Sequence, residues 1–366
     1  MDKKISVAMV GGGLNSAIGR VHEIALRMDN KFELVAGYFS RNHDTNIASG
    51  LAYGLALDRI YENLAALLQG ERGKIQAVVI ATPIHFHYEQ ILRSLEAGFH
   101  VISDKPLVET AEQSTTVFDR ADALGLKVFC IFNYTGYPMV REMRQIVQNG
   151  KIGRVFKVMA EMPQDSYMRL VNQGKADLVQ RWRLVDKEVA CVTLDLFVHI
   201  HSLVGFICEG KVEDVYAKCS SVSGISDGLI DEVDAIISYD SGMTLNAWYG
   251  KAALGDRNGL RMRVFGTHGS LEWYQENPEI VRFADQSGEV KVIDRLSVEC
   301  SVASQPRYQR FKAGHPAGFI EAFTNYYVDI AEEFNHSLAS TSALISRETI
   351  QEGLSVGARI HNMEQV

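Results

Sequence analysis

The stretch Ile5-Ser6-Val7-Ala8-Met9-Val10-Gly11-Gly12-Gly13-Leu14-Asn15-Ser16 decides the fold. It opens as a short apolar run of strand character that stops at three glycines, and a helix-like run over Ile18–Met28 follows. Gly11-x-Gly13-x-x-Ser16 has the spacing of a dinucleotide-binding fingerprint with Ser at the third position. The first glycine allows a tight turn and the second lets the backbone approach a pyrophosphate. The third position needs only a small side chain where helix meets strand. Leu14 and Asn15 then fall in the loop that meets the pyrophosphate. Position after a first strand and before a helix is what gives such a motif weight.

Outward from this stretch, strand and helix signals alternate. Strands are expected at Phe32–Tyr38, Ala77–Ala81, Phe99–Ile102 and Lys127–Phe132, and helices at Thr45–Tyr53, Asn63–Gln69, Tyr88–Ala97 and Thr110–Leu124. Unbroken apolar strands alternating with helices predict a doubly wound parallel sheet covered on both faces, a Rossmann domain over 1–134. Ligands of such sheets bind beyond the carboxyl ends of the strands. Thr82-Pro83, Ser103-Asp104-Lys105-Pro106 and Asn133-Tyr134 all follow strands, and His87 lies just beyond the first of these pairs. Where an acid would accept the two ribose hydroxyls of NAD, the chain has Gly37-Tyr38-Phe39-Ser40-Arg41-Asn42. Ser40 and Arg41 suit a 2′-phosphate, which favours NADP; if Arg41 only stacks on adenine, NAD fits as well.

After a helix expected at Pro138–Gly150 the pattern changes to strands: Val155–Met162, Val212–Ser221, Glu232–Tyr239, Met243–Tyr249, Arg261–Gly266, Ser270–Tyr274 and Ile280–Ala284. Short turns such as Asp240-Ser241-Gly242 join several of them as hairpins. This predicts an α+β domain over 135–366 with a large, open, mostly antiparallel sheet, the C-terminal helix packing back on the Rossmann domain. One face of that sheet must be solvated or covered by another subunit, so a homodimer or homotetramer formed through it is expected. In the helix-like run Val192–Leu203, Asp195 and His199 stand four residues apart and share a face. An imidazole there suits general-base work, with Asp195 binding substrate and orienting it; a plain helix-face ion pair is the structural alternative. His201 points elsewhere and is expected to be structural.

Composition narrows the classes. The 366 residues are enough for two domains at about 100–200 residues each. A formal net charge of −8 with no Lys/Arg block argues against nucleic acid or an anionic membrane as partner. The five cysteines contain no CxxC pair, and Met1-Asp2-Lys3-Lys4-Ile5 leads into the first strand with no long apolar stretch, so a cytoplasmic protein is expected.

Together the glycine turn, Thr82-Pro83 with His87, Asp104-Lys105-Pro106, Trp182-Arg183 and Asp195-x-x-x-His199 resemble the Gfo/Idh/MocA (glucose–fructose oxidoreductase/inositol dehydrogenase) family of oxidoreductases, over nearly the whole chain. The family usually has Glu-Lys-Pro where this chain has Asp-Lys-Pro, and an Asn after Thr-Pro where it has Ile84. The resemblance implies an NAD(P)-dependent dehydrogenase acting on CH–OH groups of a sugar or polyol. Lys105 would bind the reacting hydroxyl near the nicotinamide and stabilise the developing alkoxide. Trp182 and Arg183 would line the substrate site, an ordinary basic surface loop being the alternative, and His315 in Gly314-His315-Pro316 would reach substrate; Tyr134 would cap the sugar or stack on nicotinamide, or equally pack in the core. Two other classes are weighed against this: a catalytically silent dinucleotide sensor, and a metal-dependent hydrolase using His85, His87, Asp195, His199 and His201. A lysine beside the site suits an alkoxide better than a metal, and a hydrolase has no need of the glycine turn.

Overall fold

A strand that reads as an unbroken apolar run needs neighbours on both edges and cover on both faces. The computed structural model, which describes residues 4–336 and 342–363, gives β1 (Ile5–Gly11) that setting; Met1–Lys3, where the sequence reading starts, lie outside the described residues. β1 pairs in parallel with β2 (Phe32–Tyr38) and β3 (Ala77–Ala81), and Val7 to Val10 are fully buried. With β4 (His100–Asp104) and β5 (Val128–Ile131) the sheet order is β2-β1-β3-β4-β5, all parallel. The order reverses at β1, so the switch point, where such sheets take ligands, lies beyond the ends of β1 and β3. The intervening helices are α1 (Gly19–Met28), α2 (His43–Ala52), α3 (Leu64–Gly70), α4 (His87–Glu96) and α5 (Ala111–Leu124). Asn42, Asn63 and Thr110 cap α2, α3 and α5 by accepting the amides of Thr45, Ala66 and Gln113.

The glycine turn differs from its sequence reading in one respect. Gly19, not Ser16, makes the close helix–strand contact. A Cβ on Gly19 would lie 1.9 Å from the Gly12 carbonyl oxygen, so α1 rests backbone on backbone against the turn. The Ser16 hydroxyl instead accepts the amides of Ile18 and Gly19 (3.3 and 3.2 Å) and closes the loop ahead of the helix. That loop is three residues longer than the fingerprint spacing, and the motif's third position therefore falls inside it.

Tyr137–Gly318 and Glu348–Val366 form a second unit. It contains α6 (Pro138–Gln148), β6 (Val155–Pro163), α7 (Ser166–Asn172) and α8 (Val198–Ile207), followed by β7 (Val212–Ser220), β8 (Glu232–Tyr239), β9 (Thr244–Gly250), β10 (Arg261–Gly266), β11 (Gly269–Tyr274), β12 (Ile280–Ala284) and β13 (Val290–Asp294). Its eight strands run in the order β13-β12-β11-β10-β6-β9-β8-β7, antiparallel throughout except for β6 with β9. Burial alternates along them: Val233, Ala235, Ile237 and Tyr239 of β8 are buried while Asp234 and Ile236 are exposed. The buried face packs on α6 and α8. The other face is open and forms a hollow of about 510 Å³ lined by Met159, Tyr216, Ile236 and Trp248 among others.

The second unit is therefore not the unbroken 135–366 expected from the sequence. Phe319–Arg347 belongs to the first unit, with Met1–Gly136. There α9 (Phe319–Phe334) lies along β5 and the turn after it: Tyr326 Oη donates to Cys130 O (2.8 Å) and Asn325 Nδ2 to Gly136 O (2.8 Å). The last helix, α10 (Arg347–His361), joins the second unit, where Glu352 accepts the Val212 amide (3.0 Å). Among the described residues, no helix is long and apolar enough to cross a membrane.

Because α1 touches Gly12 backbone to backbone, Gly19→Ala should lower stability by about 1–3 kcal/mol or more, the usual cost of overpacking. Chemical denaturation checks this; an unchanged midpoint would mean that α1 can slide away from the turn at no cost.

Candidate active site

The cofactor candidates of the first unit gather along one edge of its sheet. Gly11 ends β1 and Gly12 follows it, with φ of +78° and +67°, a conformation that favours glycine. A Cβ on Gly11 would meet Ala81 O at 2.7 Å, and Gly12 N donates to that same oxygen (3.1 Å). Gly13 is buried, Leu14 and Asn15 are exposed, and no acid stands in the first turn of α1. A backbone lip, an exposed loop and the positive end of a helix fit a pyrophosphate. At the end of β2, Ser40 is half-buried and Arg41 exposed, its guanidinium 5.6 Å from the centre of the Phe86 ring.

At the end of β3, Thr82 Oγ1 donates to Gln90 Oε1 (2.7 Å), and Pro83 is half-buried. Ile84, where the resemblance led to an Asn, is buried. His87 is 1% exposed, and its ring spans Thr82 O (Nε2, 2.8 Å) and Pro106 O (Nδ1, 2.9 Å). Its bonds tie the loop after β3 to the loop after β4. Tyr134 is also 3% exposed, in the turn that packs on α9.

Lys105 follows β4 directly and is half-buried; the Lys105–Pro106 peptide bond is cis. Asp104 before it faces His22 of α1, with Nε2 3.7 Å from Oδ1. His22 is fully buried, and its Nδ1 is 2.7 Å from Tyr327 Oη of α9. Burial alone would raise the Asp104 pKa. The His22 ring, with the Lys105 cation, outweighs it and holds the carboxyl below its ordinary value. Tyr327 is pushed well up by burial and by Asp104, so it stays a neutral phenol.

In the second unit the structure brings Trp182, Arg183 and Asp195 together. Asp195 lies in a π-helical turn, Thr193–Phe197, closed by the Val198 amide on Thr193 O. Such wide turns inside helices are frequent at functional sites. Its Oδ2 accepts from Arg183 Nη1 (2.9 Å) and from Lys251 Nζ (2.7 Å). Arg183 stacks on Trp182, 4.4 Å from the ring centre. Burial disfavours the Arg183 charge, but Asp195 and its neighbours prevail and raise its pKa. Cys191, one turn before Asp195, is pushed up to about 11, mainly by burial. His199 follows on α8, 4% exposed. His201 meets Glu352 of α10 at 3.4 Å, a link between two helices of the second unit. His315 is exposed, its amide on Lys312 O (3.1 Å).

Lys251 and His22 were not singled out from the sequence. Neither lies in a motif, and each gains its meaning from a partner far along the chain. As for metal-ligating side chains, His87 and His201 are engaged as described, and no cluster of three or more His, Cys, Asp or Glu is present among the described residues.

Residues 5–132 match the profile of the oxidoreductase family with an NAD-binding Rossmann fold, and residues 140–272 match the GFO/IDH/MocA C-terminal domain. The chain belongs to the GFO/IDH/MocA family. A solved oxidoreductase from Sinorhizobium meliloti is 31% identical over 98% of both chains, with a TM-score of 0.85. An inositol dehydrogenase homologue from Azotobacter vinelandii, solved with NADH and myo-inositol, is 27% identical, with a TM-score of 0.90 over 100% of this chain and 97% of that one. An uncharacterized oxidoreductase of Bacillus subtilis is 29% identical over 90% of this chain and 86% of its own length. As a GFO/IDH/MocA member the chain is a nicotinamide-dependent oxidoreductase, and the fit of the glycine turn to a pyrophosphate accords with this.

The depressed Asp104 carboxyl carries a pH consequence. Its ionised form stabilises the first unit at any pH above the carboxylate range, and this stabilisation is lost as pH falls through the depressed native value. His22→Phe removes the largest of the interactions that oppose burial, so the Asp104 pKa should rise and acid unfolding should begin at higher pH. Carboxyl-carbon NMR titration of Asp104 checks the direction; an unmoved titration would show that His22 does not hold the charge.

Proposed function

We propose that the protein interconverts a secondary alcohol and a ketone on a sugar, inositol or sugar derivative. The observation that carries the reading is Lys105, half-buried at the end of β4 next to the switch-point strands, with its neighbour Asp104 held ionised behind it. A fixed cation suits an oxygen on which negative charge develops. When bound, the nicotinamide supplies or accepts the hydride. Lys105 binds the reacting hydroxyl and polarises it; His199 takes its proton in oxidation and returns one in reduction. Asp195 binds a substrate hydroxyl and, with Arg183, orients it, while Trp182 gives a sugar ring a flat apolar wall. His315 reaches substrate from its exposed loop, and Tyr134, buried in its turn, supports the end of β5. Gly11, Gly13, Leu14 and Asn15 hold the pyrophosphate, and Thr82, Pro83 and Asp104 flank the nicotinamide half, with His87 as their strut.

For the cofactor, Ser40 and Arg41 stand where no carboxylate is present to take ribose hydroxyls, which supports NADP; the myo-inositol complex of the Azotobacter relative contains NADH. The four buried free thiols accord with a reducing compartment, and we place the enzyme in the cytoplasm. The open sheet face, with Trp248, Tyr216 and Ile236, is the surface we assign to self-association in a dimer or tetramer.

A panel of inositols, aldoses, ketoses and their derivatives, assayed with NAD and NADP in parallel, tests the reading. Turnover on at least one polyol is expected, with the higher kcat/KM for NADP. Lys105→Met and His199→Asn should each lower kcat by about 10²–10⁴-fold, the range for a lost polarising or acid–base group, without weakening dinucleotide binding. A protein that binds dinucleotide tightly but turns over nothing in the panel would be the sensor instead. Separately, Ile236→Glu with Trp248→Glu should shift the sedimentation coefficient to that of a monomer; wild-type protein already monomeric at micromolar concentration would remove the assembly proposal.

A further inference from the structure

We propose that Lys251 is a positioning residue for substrate recognition that acts through Asp195; this rests on the reading that Asp195 binds a substrate hydroxyl. Lys251 directly follows β9, and its side chain is only 6% exposed. Its backbone is bonded on both sides. The amide donates to Asp231 O (2.8 Å), and the carbonyl accepts from Tyr167 and Met168 of α7 (3.0 and 3.3 Å). Nζ donates to Asp195 Oδ2 (2.7 Å) and Gln164 Oε1 (3.1 Å) and lies 5.4 Å from the centre of the Tyr167 ring.

Two cations therefore meet one carboxylate oxygen, but they are not equivalent. Arg183 comes from a short helical turn, Arg181–Leu184, and its side chain is 31% exposed. Lys251 comes from the end of a central strand and is enclosed by Gln164, Tyr167 and Asp195. A buried ammonium without a counter-charge is strongly unfavourable, so Lys251 holds the Asp195 carboxylate wherever Arg183 goes. Arg183 can then turn toward a substrate hydroxyl while Asp195 keeps its aim. A carboxylate fixed in this way binds a hydroxyl without first losing rotamer freedom, which favours affinity over rate.

The test measures steady-state kinetics and melting of Lys251→Met, Lys251→Arg, Asp195→Asn and the Lys251→Met/Asp195→Asn double variant of the full chain. Lys251→Met is expected to raise KM for the polyol about tenfold with kcat changed less than about threefold, the pattern of lost ground-state positioning. The dinucleotide dissociation constant should not move, and Lys251→Arg, which keeps the cation, should restore KM most of the way. In the Asp195→Asn background, Lys251→Met should raise KM no further, and the double variant should melt above Asp195→Asn alone, because the buried charge has gone with its partner. Additive effects on KM, or a fall in kcat equal to the rise in KM, overturn the positioning role. A double variant that melts no higher than Asp195→Asn overturns the clamp itself. A wild-type enzyme inert toward every polyol, with the melting pattern intact, overturns the functional reading and leaves the clamp in place.

Discussion

Gly19 has no side chain, and the Gly12 carbonyl sits where a Cβ would be. This contact sets the distance of α1 from the glycine turn, and much of the first unit follows from it. Three residues on, His22 is carried to Asp104 and to Tyr327. Asp104 is thereby kept ionised in a half-buried setting, and the next residue is Lys105. The glycine turn and the charge next to the lysine are thus linked through one helix.

The second unit solves a similar problem with different parts. A carboxylate removed from water is costly unless it is paired and hydrogen-bonded. Asp104 is stabilised by a histidine from a neighbouring helix, and Asp195 by a lysine from a strand end and an arginine from a turn. In each case one supporting group is more deeply enclosed than the carboxylate it supports: His22 is fully buried against 15% exposure for Asp104, and Lys251 is 6% exposed against 20% for Asp195, while Arg183 is the more open partner at 31%. Such support fixes geometry before any ligand arrives.

Most of the architecture was legible in the sequence, because the hydrophobic period changes sharply along it. Glu232–Tyr239, Arg261–Gly266 and Ile280–Ala284 match their strands to the residue. β13 escaped notice: four of its five residues are exposed, so no buried face shows in the pattern. α9 escaped for the opposite reason, since residues 322–331 are buried without a break and leave no helical stripe to read. A return to the Rossmann domain was expected of the C-terminal helix; α9 belongs to the first unit, while α10 groups with the second. Candidate residues were nameable from the sequence where a residue type and a motif coincide, as at Lys105 and Asp195. His22 and Lys251 were not, for a lone histidine or lysine carries no signal until folding places it beside a carboxylate.

The return of α9 also has a consequence for synthesis. The first unit is interrupted after Gly136 and resumes at Phe319, so its β5 edge stays without Tyr326 and Asn325 while the intervening chain is made. At ribosomal speeds of about 5–20 residues per second, that wait is roughly 10–40 s. The earliest-made part of the protein is thus among the last to be completed, and the emerging sheet has an uncovered flank that a nascent-chain chaperone is suited to shield.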